Sequence, residues 1–276
     1  MSPDPIASSR EAAWPRLMAR EALAETFRRA GVRPGMAVMV HASLSGLGYL
    51  PNGPYDVIHA LLDVIGREGT LLVPTHTGQL TDPADWRNPP VPAEWVDAIR
   101  AAMEPFDPAR TPVRNRGLLP EFVLRMPGAR RSTHPLNSVA AIGAHAAHFT
   151  ATHLLDESEG VGSPCHKLYE VSGHALLLGV GLDSCTAIHA AEFIADSPYL
   201  RDSRMNVLVG HNEFRRLRKY PGTSAHFEKL RPILKASGAL TELTLGAYPI
   251  TFVALAPAID TALARMKTEP DWLRTP

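Results

Sequence analysis

Three consecutive stretches constrain this chain more than anything else in it: MAVMVHAS at residues 36–43, PYDVIHALLDVIG at 54–66 and TLLVPTHT at 70–77. The first and third are short apolar runs, rich in β-branched residues, that close on polar ones, while the second repeats its apolar residues at helical spacing. Strand, helix and strand in so few residues predict a βαβ unit. Such a unit requires a parallel strand pair with the connecting helix packed on one face, and it puts functional loops at the carboxyl ends of the strands. Those ends are His41–Gly48 and Pro74–Gly78.

The rest of the chain extends this pattern. Trp14, Leu17, Met18, Leu23 and Phe27 predict a helix within residues 10–30, stopped by Gly31, Pro34 and Gly35. Residues 80–116 crowd prolines around one helix-like run, WVDAIRAAM, and read as an excursion over the sheet. Helices are expected at LLPEFVLRM, AHAAHFTATHLL, AIHAAEFIAD, SAHFEKLRPILKAS and 256–266, and strands at SVAAIG, HALLLGVGL and NVLVG. The expectation is an α/β fold: a mainly parallel or mixed central sheet flanked by helices, in one domain over 1–276, with 1–9 flexible and a Pro-rich insertion over the site.

Composition narrows the function classes. Lys plus Arg and Asp plus Glu both count 28, so no overall field recruits nucleic acid or an anionic membrane. The opening MSPDPIASSR lacks the apolar centre of a signal peptide, and no apolar run approaches the roughly 20 residues of a membrane span. A cytoplasmic protein is expected, monomer or homodimer. Cys165 and Cys185 are too few for a disulfide framework, and the twelve histidines include no H-x-x-x-H or H-E-x-x-H pattern, so no metal is expected.

Thr186, His189 and Glu192 recur every three residues just beyond the apolar strand HALLLGVGL. On a helix they share one side, and a carboxylate beside an imidazole suits general-base work. The same spacing fits an ordinary surface helix, and the position after a strand is what favours chemistry. The loop HASLSGLG offers Ser43, Ser45 and Gly46, whose backbone N–H groups can approach an anion or oxyanion. Arg130, Arg131, His134 and Ser138 crowd one strand start, and Ser163, His166 and Lys167 another loop; each group can hold phosphates or form a solvated cationic loop. Cys185 near His189, or a serine, leaves an acyl-enzyme hydrolase open as an alternative.

In order and spacing, MVHASLSGLG, LLVPTHTGQLTDPADWRNPPVP, FDPARTPVRNRGLLPEFVLRMPGARRSTHPLNSVAAIG and GVGSPCHKLYEVSGHALLLGVGLDSCTAIHAAE resemble the aminoglycoside N3-acetyltransferase family, the antibiotic N-acetyltransferases, over residues 38–195. The resemblance implies acetyl-CoA as co-substrate, a small-molecule amine acceptor of aminoglycoside type, and direct transfer without a metal. It implies His189 as catalytic base with Thr186 and Glu192 beside it. His41, Ser43, Leu44, Ser45 and Gly46 are then expected at the coenzyme, and Arg131, His134, Ser138 and Lys167 in coenzyme contact or site support. Thr75, His76, Trp86, Asp183 and Asp196 are expected at the acceptor, with Asp82, Asp85, Asp156, Glu157 and Glu159 as further acidic candidates. After residue 200 the chain departs from the pattern: HNEFRRLRKY is basic where a polycationic acceptor wants carboxylates, so a non-aminoglycoside amine such as an aminophosphonate is the alternative acceptor.

Overall fold

The computed structural model describes residues 16–220 and 224–275. The predicted βαβ unit is present: β1 (Ala37–Ala42), α2 (Pro54–Ile65) and β2 (Thr70–Pro74), with β1 and β2 parallel. Pro54 at the first turn of α2 gives up no hydrogen bond there, because the first N–H groups of a helix have no intrahelical partner. Ahead of the unit lies α1 (Arg20–Ala30), closed by Gly31 at φ 117°. Residues 16–19 precede this helix as extended chain, with Leu17 bridging to Tyr49, while Trp14 and the segment 1–9 lie outside the described residues.

Seven strands form one sheet in the order β3-β4-β2-β1-β5-β9-β8. Here β3 is Arg130–Arg131, β4 Val139–Gly143, β5 His174–Leu178, β8 Leu240–Leu245 and β9 Tyr248–Ala254. Only β2-β1-β5 run parallel; β4 against β2 and β9 against β5 are antiparallel, so the sheet is mixed. The strands alternate between faces as a buried sheet requires: Met39, Leu72, Ala175 and Leu177 enter one core, and Val38, Val40, Leu71, Val73, Leu176 and Leu178 the other. On the first face pack α5 (Ala146–Thr150), α6 (Pro164–Glu170), α7 (Ala190–Ile194), α9 (Leu230–Ala236) and α10 (Leu255–Met266). On the second pack α1, α2 and α4 (Leu119–Leu124).

Segment 80–116 holds short 3-10 turns and one helix, α3 (Val96–Ala102). Besides the two-residue β3, three strands go beyond the sequence reading. EFRRLR, taken there as a basic cluster, is β7 (Glu213–Arg218), paired antiparallel with β6 (Arg204–Gly210) in a separate ribbon. A helix, α8 (Pro198–Asp202), leads into that ribbon. The other two, β8 and β9, form a hairpin turned at Gly246, whose φ of 62° a residue with a side chain rarely adopts. That hairpin builds the edge of the sheet next to β5, and its Tyr248 reaches the loop after β1.

Candidate active site

The carboxyl ends of β1, β2 and β5 point the same way, and the residues beyond them converge. After β5 the chain makes a 3-10 turn, Thr186–His189, that continues directly into α7. Three residues per 3-10 turn bring Thr186 and His189 onto one side, and the first α-helical turn adds Glu192. The expected stripe therefore forms, though through two helix types rather than one.

His189 and Glu192 are 3% and 0% exposed. The imidazole Nδ1 and a Glu192 carboxylate oxygen make a very short contact. Tyr199, on α8, donates to the other carboxylate oxygen at 2.8 Å. With Glu192 as acceptor, Nδ1 carries the proton and Nε2 is left as the basic atom. Aromatic rings fix the plane of this imidazole: Tyr220 stacks on it at 3.7 Å between centroids, and Phe227 meets it edge-on at 4.7 Å. Tyr220 also separates His189 from open space.

Two clefts meet beside this cluster. The larger, about 670 Å³, is lined by His41, Ser43, Leu44 and Ser45 of the β1 loop, by Val180 and Ser184 after β5, by Gly53 and Pro54 at the start of α2, and by Asn115–Pro120. The second, about 390 Å³, is lined by His76, Asp85–Pro89, Arg114–Arg116, Asn137, Lys219 and Tyr220. Asn115 and Arg116 belong to both. A guanidinium nitrogen of Arg116 lies against His76 Nδ1, while His41 Nε2 and His76 Nε2 are buried without partners among the described residues. Burial, with Arg116 nearby, pushes His41 down to about 3 and His76 well below the usual histidine value, so both are neutral rings. Each thus has a nitrogen free to donate to, or accept from, a ligand.

Several expected site residues lie elsewhere, for physical reasons. Gly46 does not line the cleft; a Cβ there would meet the Tyr248 ring at 2.9 Å, and Tyr248 in turn donates to the Ser43 carbonyl at 2.8 Å. Arg131 is committed to Thr75, Ser138 and the Thr111 carbonyl, and burial lowers it to about 10. Its partners Thr75 and Ser138 are wholly buried with it. His134 Nδ1 accepts from the Leu136 and Asn137 N–H groups. The Lys167 ammonium donates to the carbonyls of His148 and Thr152, around the end of α5. These five hold loops in place and reach neither cleft. Asp183 is exposed away from both, and Asp196 pairs with Arg201 and Arg218. Arg218 also takes Glu157, Arg204 takes Asp156, and Arg100 takes Asp82, so of the acidic candidates only Asp85 faces a cleft. Glu159 is buried behind Asn137, which donates to it at 2.6 Å.

Sequence reasoning missed Tyr199, Tyr220, Asn115, Arg116 and Asn137. Arg116 and Asn137 sat inside stretches quoted for the family pattern, but nothing in their spacing marks them as cleft residues. Among the described residues no group of three or more His, Cys, Asp or Glu is placed to hold a metal ion, and no helix is long and apolar enough to cross a membrane. Both cysteines are buried and free, and burial pushes the Cys185 thiol up to about 12.

A family model described as "Aminoglycoside 3-N-acetyltransferase" matches residues 39–267. Aminoglycoside N(3)-acetyltransferase VII of Streptomyces paromomycinus is 39% identical over 215 residues, covering 76% of this chain and 73% of that protein. The SPbeta prophage-derived aminoglycoside N(3')-acetyltransferase-like protein YokD of Bacillus subtilis is 39% identical over 175 residues, 63% of this chain and 64% of its own length, a little under two thirds. Among solved structures, that of AAC-IIIb in binary complex with CoASH superposes with a TM-score of 0.78 at 34% identity, covering 92% of this chain and 97% of the other.

Proposed function

The chain belongs to the aminoglycoside 3-N-acetyltransferase family, and from that premise we propose that it transfers the acetyl group of acetyl-CoA directly to a small-molecule amine, with His189 as general base. The thioester arm occupies the larger cleft and the acceptor the smaller one. Acetyl-CoA supplies an activated acyl carbon; the residues of the chain bind, orient and move the proton. The observation that carries the reading is the buried Tyr199–Glu192–His189 chain beside two clefts that join at Asn115 and Arg116.

The larger cleft fits an acyl-thioester arm on its own features. Its size falls within the roughly 300–1,000 Å³ of small-molecule sites, and the small residues Gly53 and Pro54 at the start of α2 form part of its wall. His41 Nε2 is a buried polar atom in its wall with no partner among the described residues. The CoASH complex of AAC-IIIb supports the same coenzyme.

In the transfer, the amine nitrogen forms a bond to the acyl carbon, the carbon–sulfur bond breaks, and the amine proton passes to His189 Nε2 and on to the departing sulfur. Glu192 stabilises the charged imidazole, and donors of the His41–Ser45 loop stabilise the carbonyl oxygen as it gains charge. Because Tyr220 now covers the imidazole, the amine reaches His189 from the place of that ring. The Pro-rich residues around Trp86 exclude water from the acceptor side.

The test is release of free CoA, with mass detection of product, from purified protein, acetyl-CoA and a panel of amines that includes aminoglycosides. A product heavier by one acetyl group is expected, and the Cys185→Ala variant should form it at a rate within a few-fold of the unchanged protein, since a buried thiol held protonated is no nucleophile. CoA release with no acetylated amine would identify a thioester hydrolase instead.

A further inference from the structure

Resting on the transferase reading, we propose that the acceptor amine carries an anionic group, a carboxylate, phosphate or phosphonate, and that Arg87, Arg114, Arg116 and Lys219 hold it. These four cations line the smaller cleft against one carboxylate, Asp85. None of the four makes an ion pair among the described residues, whereas the neighbouring Arg100, Arg201, Arg204 and Arg218 all do. Their present contacts leave donors free. Arg87 reaches the Ala84 carbonyl at 3.2 Å. Arg114 lies over the Trp86 ring at 5.9 Å and the Lys219 ammonium over Tyr220 at 5.3 Å. Arg116 Nε is buried with no partner among the described residues.

The other nearby carboxylates do not line this cleft. Asp82, Asp156, Glu157 and Asp196 are paired on other surfaces. Glu159, nearest to Lys219, accepts hydrogen bonds from Asn137 and Ser158, and burial raises its carboxyl toward the neutral form. An uncompensated positive wall in a concave site concentrates anions, and the planar guanidinium matches a carboxylate or phosphate with two parallel hydrogen bonds. The same wall disfavours a polycation. It also favours the deprotonated, nucleophilic form of an amine held beside it, which is the form the transfer needs.

Four amines of similar length separate the possibilities: aminopropylphosphonate, γ-aminobutyrate, aminobutanol and diaminobutane, each assayed for acetylation alongside an aminoglycoside. The anionic pair should exceed the alcohol and the diamine in kcat/KM by about tenfold or more, as expected for charge-assisted hydrogen bonds. In Arg114→Gln, and independently in Arg87→Gln, the ratio of phosphonate to alcohol should fall several-fold. The ratio is internal to each variant, so a loss of folded protein cannot mimic the result. Equal rates for alcohol and phosphonate, or preference for the diamine or the aminoglycoside, would overturn the anionic acceptor and leave the transferase intact. Transfer to none of them would overturn the transferase reading, and this proposal with it.

Discussion

His189→Ala is expected to lower kcat for acetyl transfer by about 10²–10⁴-fold, the usual worth of a positioned general base, while acetyl-CoA binding measured by calorimetry changes little. The two readouts separate because His189 lines neither cleft: it sits behind Tyr220, bonded to Glu192, and contributes no surface to the coenzyme's walls. Activity retained in the variant would move the base elsewhere. A parallel loss of binding would mean that the imidazole supports the fold of the site rather than the proton transfer.

Phe227→Ala is the largest expected effect on stability, and it also reaches the site. The ring is fully buried among Leu230, Leu234 and Cys185, and its edge meets the His189 imidazole at 4.7 Å. Truncating a buried phenylalanine removes burial and leaves a cavity, together about 3–5 kcal/mol, read as a shift of the urea midpoint at constant slope. Turnover should fall as well, because one of the two rings fixing the plane of the imidazole is lost. A stability loss without any fall in kcat would show that Glu192 and Tyr220 alone suffice to orient the base.

The βαβ unit was legible because its two periods differ and the turns between them are marked by glycines. Strand direction beyond it was not: β4 and β9 run antiparallel because of how their connections return, and apolar runs such as SVAAIG carry no direction. EFRRLR hides its strand state, since a two-stranded ribbon leaves Arg215 and Arg216 in water and needs only β6 as partner. At the site, Thr186, His189 and Glu192 were readable from local spacing. Tyr199, Tyr220 and Arg116 arrive from other segments, and only the tertiary fold brings them in. Whether Arg131, His134 and Lys167 touch a ligand or support the site was not legible either, for a general reason. A dense polar stretch looks the same in sequence whether its donors face a ligand or, as here, are consumed by backbone carbonyls and N–H groups within the fold.

The most direct measurement is the initial-velocity pattern of acetyl transfer with acetyl-CoA and an accepted amine varied against each other. Direct attack with His189 as base needs both substrates in adjoining clefts at once and predicts intersecting double-reciprocal lines. Parallel lines, the signature of a covalent acetyl-enzyme, would contradict it.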